Sequence, residues 1–553
     1  MGSLLARLSD ISAARWRRLS VGLFFGGLLL LGAWLYRDYG VSWDEPTDHQ
    51  NGAVSGRYVA ELLLPELLRN HPTLATIPPL AGYRDNDHGV LFELPVAALG
   101  LLLTPGDSRG YYFLRHLLVF LVFVGGVWAL YRLGCRYFQD WRWALLGAAA
   151  LVLSPRFFAE AFFNGKDIPF MVCFALAMLT LTRLLARPTA GRVLLHALAT
   201  AAAIDIRVPG ILLLAFTLSM VALEMLWTAA DNKNNTDGPQ QPRPARRWLA
   251  LVALYLAATA GLVVLGWPAL WENPMGHFAH AYRSLSQYNW VPETNFYLGR
   301  YVAAARLPWH YIPVWMVVTT PVPYVLAALA GLAVAGRQVW QSGGARLRTQ
   351  AGRLDLLLAG WLLGPVVIVI VLRSTLYDGW RHLYFVYPAL LLWAVRGAWE
   401  AARVVRLRRR VWPLAALALA LGGTELLRVA YQMARLHPYE HLYFSVLPGA
   451  AADRLMERDY CALGFREGLE WILAHDASAE ITIHASSHHP LYNNLLILPP
   501  QDRARFRYLK SSAARYYITN YRWHQPAYLD SVGPEVHSIR AGGVKILSVF
   551  RRE

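Results

Sequence analysis

The 553-residue chain is 56% hydrophobic and carries a formal net charge of +17, a composition too apolar for one soluble domain. In a soluble chain that basic excess would suggest nucleic acid. Here much of it sits in short segments between apolar runs, where it sets membrane topology and meets anionic lipid, so membrane lipids are expected partners and nucleic acid is not. Three cysteines, Cys135, Cys173 and Cys461, make neither a disulfide framework nor a metal-ligand spacing.

The first apolar run, Val21 to Tyr36, follows Arg15, Arg17 and Arg18 and is followed by Arg37-Asp38-Tyr39. No small-residue cleavage site succeeds it, so it reads as a retained anchor. Further spans are expected near 111–131, 143–155, 168–185, 193–206, 208–227, 248–267, 311–335, 354–372, 382–396 and 411–428, which makes eleven crossings with soft boundaries. With the N-terminus inside, the inner segments hold 24 Lys/Arg in 94 residues and the short outer segments 13 in 143. That bias has the positive-inside sign, and eleven crossings then leave the C-terminal domain outside.

Leu91 to Leu103 is apolar, but it is short and contains Glu93 and Pro95. It is expected to lie at the membrane surface or to re-enter it. The 193–227 stretch is expected to be a tight helical hairpin with Arg207 at its outer tip. Val54, Tyr58, Val59, Leu62 and Leu63 recur at helical spacing, which predicts a helix along the outer face within 51–70. Residues 231–244 form a polar inner linker.

From Tyr431 onward the polarity is ordinary. Phe465 to His475 has a helical pattern, and Glu480 to His484, Arg515 to Tyr521 and Val544 to Phe550 look like strands. The expected fold is therefore an α-helical polytopic membrane protein of about 11 transmembrane helices plus juxtamembrane helices. Residues 1–430 would form its membrane domain, with the outer loop 37–110, and residues 431–553 a small α/β C-terminal soluble domain.

Acids gather on the outer face, most conspicuously in Ser42-Trp43-Asp44-Glu45-Pro46. Carboxylates at a membrane face are costly to desolvate, so they mark chemistry, ion binding or helix punctuation. Lys166, Arg207 and Arg381 stand at span mouths on the same face. A carboxylate to take a proton, cations to hold a phosphate and an apolar wall for a lipid tail together suit glycosyl transfer from a lipid-phosphate sugar.

These motifs resemble the C-type integral-membrane glycosyltransferases, in particular the group of protein O-mannosyltransferases and the lipid A aminoarabinose transferase. The resemblance rests on Trp43-Asp44-Glu45 in the first outer loop and on His88 to Glu93 before a juxtamembrane helix. It rests also on Ser154-Pro155-Arg156 through Asn164-Gly165-Lys166-Asp167-Ile168-Pro169 in the second loop, and on Tyr377-Asp378-Gly379-Trp380-Arg381-His382 before Tyr387-Pro388. The His88 segment lacks the prolines usual in the group, and the second loop reads Gly-Lys-Asp.

The resemblance implies inverting transfer from a polyprenyl-phosphate sugar donor to an acceptor glycan, lipid or protein at the outer face, with Asp44 as general base. Glu45 and Asp167 complete the catalytic candidates, and Lys166, Arg207, Arg381, His382 and His88 are the candidates for holding the donor. The simpler alternatives are an N-cap role for Asp44, a helix-dipole role for Asp167, snorkelling for Lys166 and a hairpin cap for Arg207. No cofactor is assigned. A divalent cation near Asp85, Asp87, His88 and Glu93 is left open, since their spacing matches no specific metal pattern. Trp267, Trp271, Trp290, Trp309 and Trp315 are expected in an interfacial belt. A transporter, or a lipid-linked oligosaccharide transferase or flippase, is the alternative, and Glu224 is the clearest acid within a span.

Overall fold

The computed structural model describes residues 2–70, 72–234, 245–286, 290, 294–407, 412–457, 459–510, 513–522 and 532–552. Most of the polar linker 231–244, Glu293 and Arg408 to Arg410 lie outside them. Among the described residues, eight helices are long and apolar enough to cross a membrane: Ala14–Leu35, Ser108–Phe138, Asp167–Ala186, Val208–Trp227, Arg246–Gly266, Val322–Gln341, Gln350–Val371 and Trp412–Leu436. Each coincides with an expected span.

The other three expected spans are also helical, but they do not stand alone as crossings. Trp141–Val152 continues into Pro155–Phe163 through a 67° bend, because Pro155 cannot continue the first helix and is pre-set to start the second. Ala190–Ile204 is apolar but only 15 residues long. Tyr387–Leu407 carries a buried Arg396–Glu400 pair at 2.8 Å. The expectation of one span over 311–335 is corrected to two helices, Tyr311–Thr319 and Val322–Gln341, interrupted at Pro321.

The outer loop forms helices Glu45–Leu63 and Glu93–Leu103. The second has 11 residues, about 16 Å of helix, half of a bilayer core. The two pack closely because Gly52 has no side chain; a Cβ there would lie 2.4 Å from the Glu93 carbonyl oxygen. The expected hairpin is present, with helices Ala190–Ile204 and Leu212–Asn234 joined across 205–211.

The C-terminal sheet has five strands in the order Phe506–Tyr508, Ile481–Ala485, Tyr516–Thr519, Val544–Arg551 and Glu535–Ala541. The first three run parallel, and the last two add antiparallel at one edge. Helix Gly464–His475 buries Phe465, Leu469 and Ile472 against Ile518, Leu547 and Val549. That core is continuous with the membrane helices through Tyr39, Phe163 and Tyr460, so the C-terminal domain seals the outer loops rather than hanging from them. Helix Trp412–Leu436 carries the chain past the change of pattern at 431.

The tryptophan belt is corrected in part. Trp267 and Trp315 are each 1% exposed, buried against loops instead of facing lipid, whereas Trp309 is exposed.

Candidate active site

The two adjacent acids of the first outer loop part company. Asp44 occupies the N-cap of Glu45–Leu63, yet its side chain makes no capping bond; its Oδ2 accepts a 2.6 Å hydrogen bond from Arg381 Nη1. Glu45 turns the other way. Its Oε2 accepts the backbone N–H of Ser42 at 2.7 Å, and its Oε1 lies 3.1 Å from His116 Nε2 and 3.4 Å from Arg115 Nε. Arg115 also donates to Glu93 at 2.9 Å. Glu45 thus belongs to a buried ionic knot behind the loop.

The second outer loop is shaped by Asn164. Its Oδ1 accepts the backbone N–H of Asp167 at 2.8 Å, and its Nδ2 donates to Asp167 Oδ2 at 3.0 Å and Glu160 at 2.7 Å. Gly165 lies against Arg115, where a Cβ would sit 2.4 Å from Nη2. This turn aims Asp167 at Arg207, 2.7 Å away, and at Arg381, 3.6 Å away, and lays Lys166 Nζ 2.8 Å from Asp48. Burial favours the neutral amine, but Asp48 outweighs it and holds Lys166 above the usual lysine range.

The third contributor is the turn before Tyr387–Leu407. Asp378 and Gly379 both adopt left-handed backbone (φ 57° and 71°), a conformation that glycine takes freely and aspartate tolerates. The turn sets Asp378 2.9 Å from Arg381. From the C-terminal domain, Arg522 pairs with Asp378, and its guanidinium stands 5.1 Å from the centre of the Trp43 ring.

His88 and His382 border the same cluster. Burial pushes the pKa of each well below the usual value. The neighbouring Lys166 and Arg207 lower His88 further, and Arg207, Arg381 and Lys166 do the same for His382. Both are therefore neutral, and the Nδ1 of neither has a hydrogen-bond partner among the described residues.

Asp44, Asp48, Asn164, Asp378 and Arg381, with Trp43, Tyr460 and Cys461, line a small recess of about 20 Å³. Within it the Asp44 side chain is 46% exposed, against 7% for Asp378 and 0% for Asp167. Asp44 is thus the carboxylate open to a second substrate. Desolvation raises its pKa, and Arg381 and Lys166 pull it down further, to about 2. Of the eight sequence candidates, Asp44 and Arg381 line the recess, Lys166, Asp167 and Arg207 are ion-paired beside it, His88 and His382 lie near those cations, and Glu45 lies behind.

The proposed cation group near His88 is not assembled. Asp85 accepts from Asn51 at 2.9 Å, Asp87 faces His280 at 3.7 Å, and Glu93 is held by Arg115. Among the described residues, one cluster has metal-ligand distances: His441, Asp459 and Cys461. His441 Nε2 and Asp459 Oδ1 are already hydrogen-bonded at 2.9 Å, and Asp459 accepts the Ala462 N–H, which describes a closed structural pair.

Sequence reasoning passed over Asp48, Asn164, Asp378 and Arg522. Asp378 was visible inside the Asp-Gly-Trp-Arg motif. Asp48 lies one helical turn after Asp44, on the face that carries Asn51 and Ser55 inward. Arg522 had no local signal.

Together these features define a multi-pass membrane protein with a charged recess under a C-terminal α/β cap. No family model and no curated protein matches the sequence. Among solved structures, ArnT from Cupriavidus metallidurans in its apo state aligns with TM-score 0.50 at 13% identity, covering 97% of this chain and 98% of that one. ArnT bound to undecaprenyl phosphate aligns with TM-score 0.50 at 14% identity, covering 96% and 98%. An Archaeoglobus fulgidus oligosaccharyltransferase aligns with TM-score 0.47 at 10% identity, and the match spans 64% of that protein's length. The chain has an ArnT-like fold.

Proposed function

We propose that the chain is an inverting glycosyltransferase that moves a sugar from a polyprenyl-phosphate donor to an acceptor hydroxyl or amine at the periplasmic face of a bacterial inner membrane. The observation that carries this reading is the placement of one accessible carboxylate, Asp44, in a recess shared with Arg381, beside the ion pairs Lys166–Asp48 and Arg207–Asp167. The ArnT structure with undecaprenyl phosphate supports a monophosphate lipid as donor, and the positive-inside bias supports the outer face.

In this mechanism the acceptor oxygen or nitrogen attacks the anomeric carbon from the Asp44 side, and its proton passes to the Asp44 carboxylate. The bond between the anomeric carbon and the phosphate oxygen breaks, and the electron pair leaves with the polyprenyl phosphate. One displacement inverts the anomeric configuration.

The charges suit this sequence. Asp167 has Arg207, Asp378 has Arg522 and Asp48 has Lys166, whereas Arg381 is the cation within ion-pair distance of Asp44 among the described residues. A donor phosphate drawn to Arg381 takes that partner from Asp44, so the carboxylate becomes a stronger base as the donor binds. The phosphate is then neutralised as it leaves. His88 and His382, both neutral, offer hydrogen bonds to donor oxygens without adding charge. Glu45 holds the loop through Ser42, Arg115 and His116, and so positions Asp44. Transport is not favoured, because the in-span acid Glu224 is held by Arg353 at 2.7 Å.

Purified protein with radiolabelled polyprenyl-phosphate hexose and an acceptor panel tests the reading. Release of polyprenyl monophosphate with an inverted glycosidic product is expected. Intact donor across glycan, lipid and protein acceptors, or release only from a diphosphate-linked donor, would overturn it.

A further inference from the structure

On the membrane side the segment that delivers Asp44 is held by Ser42, whose Oγ donates to the Phe163 carbonyl at 3.4 Å, and by Glu45. The same segment is gripped by the C-terminal domain, more than 400 residues away in sequence. Asn493 Nδ2, near the end of helix His488–Leu495, donates to the carbonyls of Ser42 at 3.0 Å and Trp43 at 3.2 Å. Asn494 pairs with Val41 on both sides, with Oδ1 accepting its N–H and Nδ2 donating to its C=O, each at 3.0 Å. The Trp43 N–H reaches the Cys461 carbonyl at 3.2 Å. Residues 41–43 are therefore bound like a strand laid along a row of side-chain amides.

The approach is tight. Gly40 faces Asn494, where a Cβ would lie 2.6 Å from Oδ1 and from the Leu463 carbonyl oxygen. Asn494 is fully buried and Asn493 7% exposed. Such groups are kept inside a fold only with their hydrogen bonds satisfied, and here the backbone of the acidic loop satisfies them. A third arm from the same domain, Arg522, reaches Asp378 and covers Trp43.

We infer that the C-terminal domain is part of the catalytic apparatus, with Asn493 and Asn494 as positioning residues that fix the backbone of 41–43 and so set where the Asp44 carboxylate stands relative to Arg381. This rests on the proposed glycosyl transfer for its catalytic meaning. The clamp itself rests on the hydrogen bonds alone. Asn494 accepts from and donates to Val41 through one amide, and Asn493 donates twice, which an aspartate of the same shape could not do.

The test uses the full-length protein with Asn493→Asp, which keeps the shape but removes both donors, and Asn493→Ala, which is read if the charged variant does not fold. Faster amide hydrogen exchange is expected across 40–44, with the rest of the C-terminal domain unchanged. Transfer is expected to fall about 10²-fold, the usual effect of a displacement near 1 Å, with donor affinity kept. The acid limb of the rate should also move to higher pH, because a displaced Asp44 loses Arg381. A merely structural loss would lower the rate equally at every pH. Wild-type exchange at 40–44 in both variants would overturn the clamp, whatever the activity. A loosened loop with wild-type transfer would overturn its catalytic role. If the wild-type protein transfers no sugar at all, the glycosyltransferase reading fails, and the exchange data still decide the clamp.

Discussion

Arg381 Nη1 donates to Asp44 Oδ2 at 2.6 Å across 337 residues of chain, and the same guanidinium also reaches Asp378 and Asp167. One cation thus ties the first outer loop, the second outer loop and the turn before Tyr387–Leu407 into a single site. A carboxylate so paired is a weak base, and one whose partner can be drawn off by a phosphate is a base that strengthens on demand.

Replacing Arg381 by Gln is expected to lower the transfer rate by about 10²-fold or more, as loss of a charge-stabilising donor does. It should also expose the titration of Asp44. In the wild type the pKa near 2 leaves the carboxylate ionised through the whole working range. Without Arg381 the pKa rises, the base is protonated at low pH, and an acid limb appears in kcat/KM above about pH 4. A profile that stays flat in the variant would contradict the pairing.

The ionic knot behind the loop should matter for stability. Arg115 is fully buried among Glu93, Glu45 and Asp48. Arg115→Met leaves the buried Glu93 carboxylate without its cation, while Asp48 keeps Lys166, and is expected to cost about 3–5 kcal/mol. Thermal unfolding in detergent checks this, and Glu45→Gln should lower the melting temperature less, because the amide can still accept from Ser42.

Much of this arrangement was readable in the chain, and the unreadable part has a physical reason. Although the outer-face helix expected within 51–70 starts at Glu45 and is broken before Pro65, it follows from local periodicity and charge, as do the apolar runs and the hairpin with Arg207 at its tip. So does the convergence of Lys166, Asp167 and Arg381, because each stands at the outer mouth of a span and the bundle brings those mouths together. The separate orientations of Asp44 and Glu45 were not readable, since they depend on Arg115 and Arg381, far along the chain. The break at Pro321 was masked by continuous apolarity on both sides. The strands Phe506–Tyr508 and Glu535–Ala541 carry too little alternation to stand out, and they are strands because neighbours pair with them.

Asp205 offers a pH-dependent test read from stability rather than turnover. Its side chain is 2% exposed, Oδ1 has no hydrogen-bond partner, and burial lifts its pKa to about 8. A carboxyl whose pKa is raised on folding destabilises the fold above its unfolded pKa, near 4, and the penalty grows until the folded pKa is reached. Asp205→Asn is therefore expected to stabilise the protein by up to about 4 kcal/mol at pH 7, with the gain shrinking to nothing near pH 4. Unfolding curves at pH 4.5 and pH 7.5 for both proteins decide it, and a gain independent of pH would contradict the assignment.

The most direct measurement is single-turnover transfer from radiolabelled polyprenyl-phosphate sugar by wild type and Asp44→Asn at saturating acceptor, with donor binding followed separately. The amide keeps the shape and can still accept from Arg381, but it cannot take a proton. A fall in rate of about 10²–10⁴-fold is predicted, the span of a lost general base, with the donor still bound. Transfer by Asp44→Asn at the wild-type rate would contradict the account, because the one carboxylate open to the acceptor would then have no part in moving its proton.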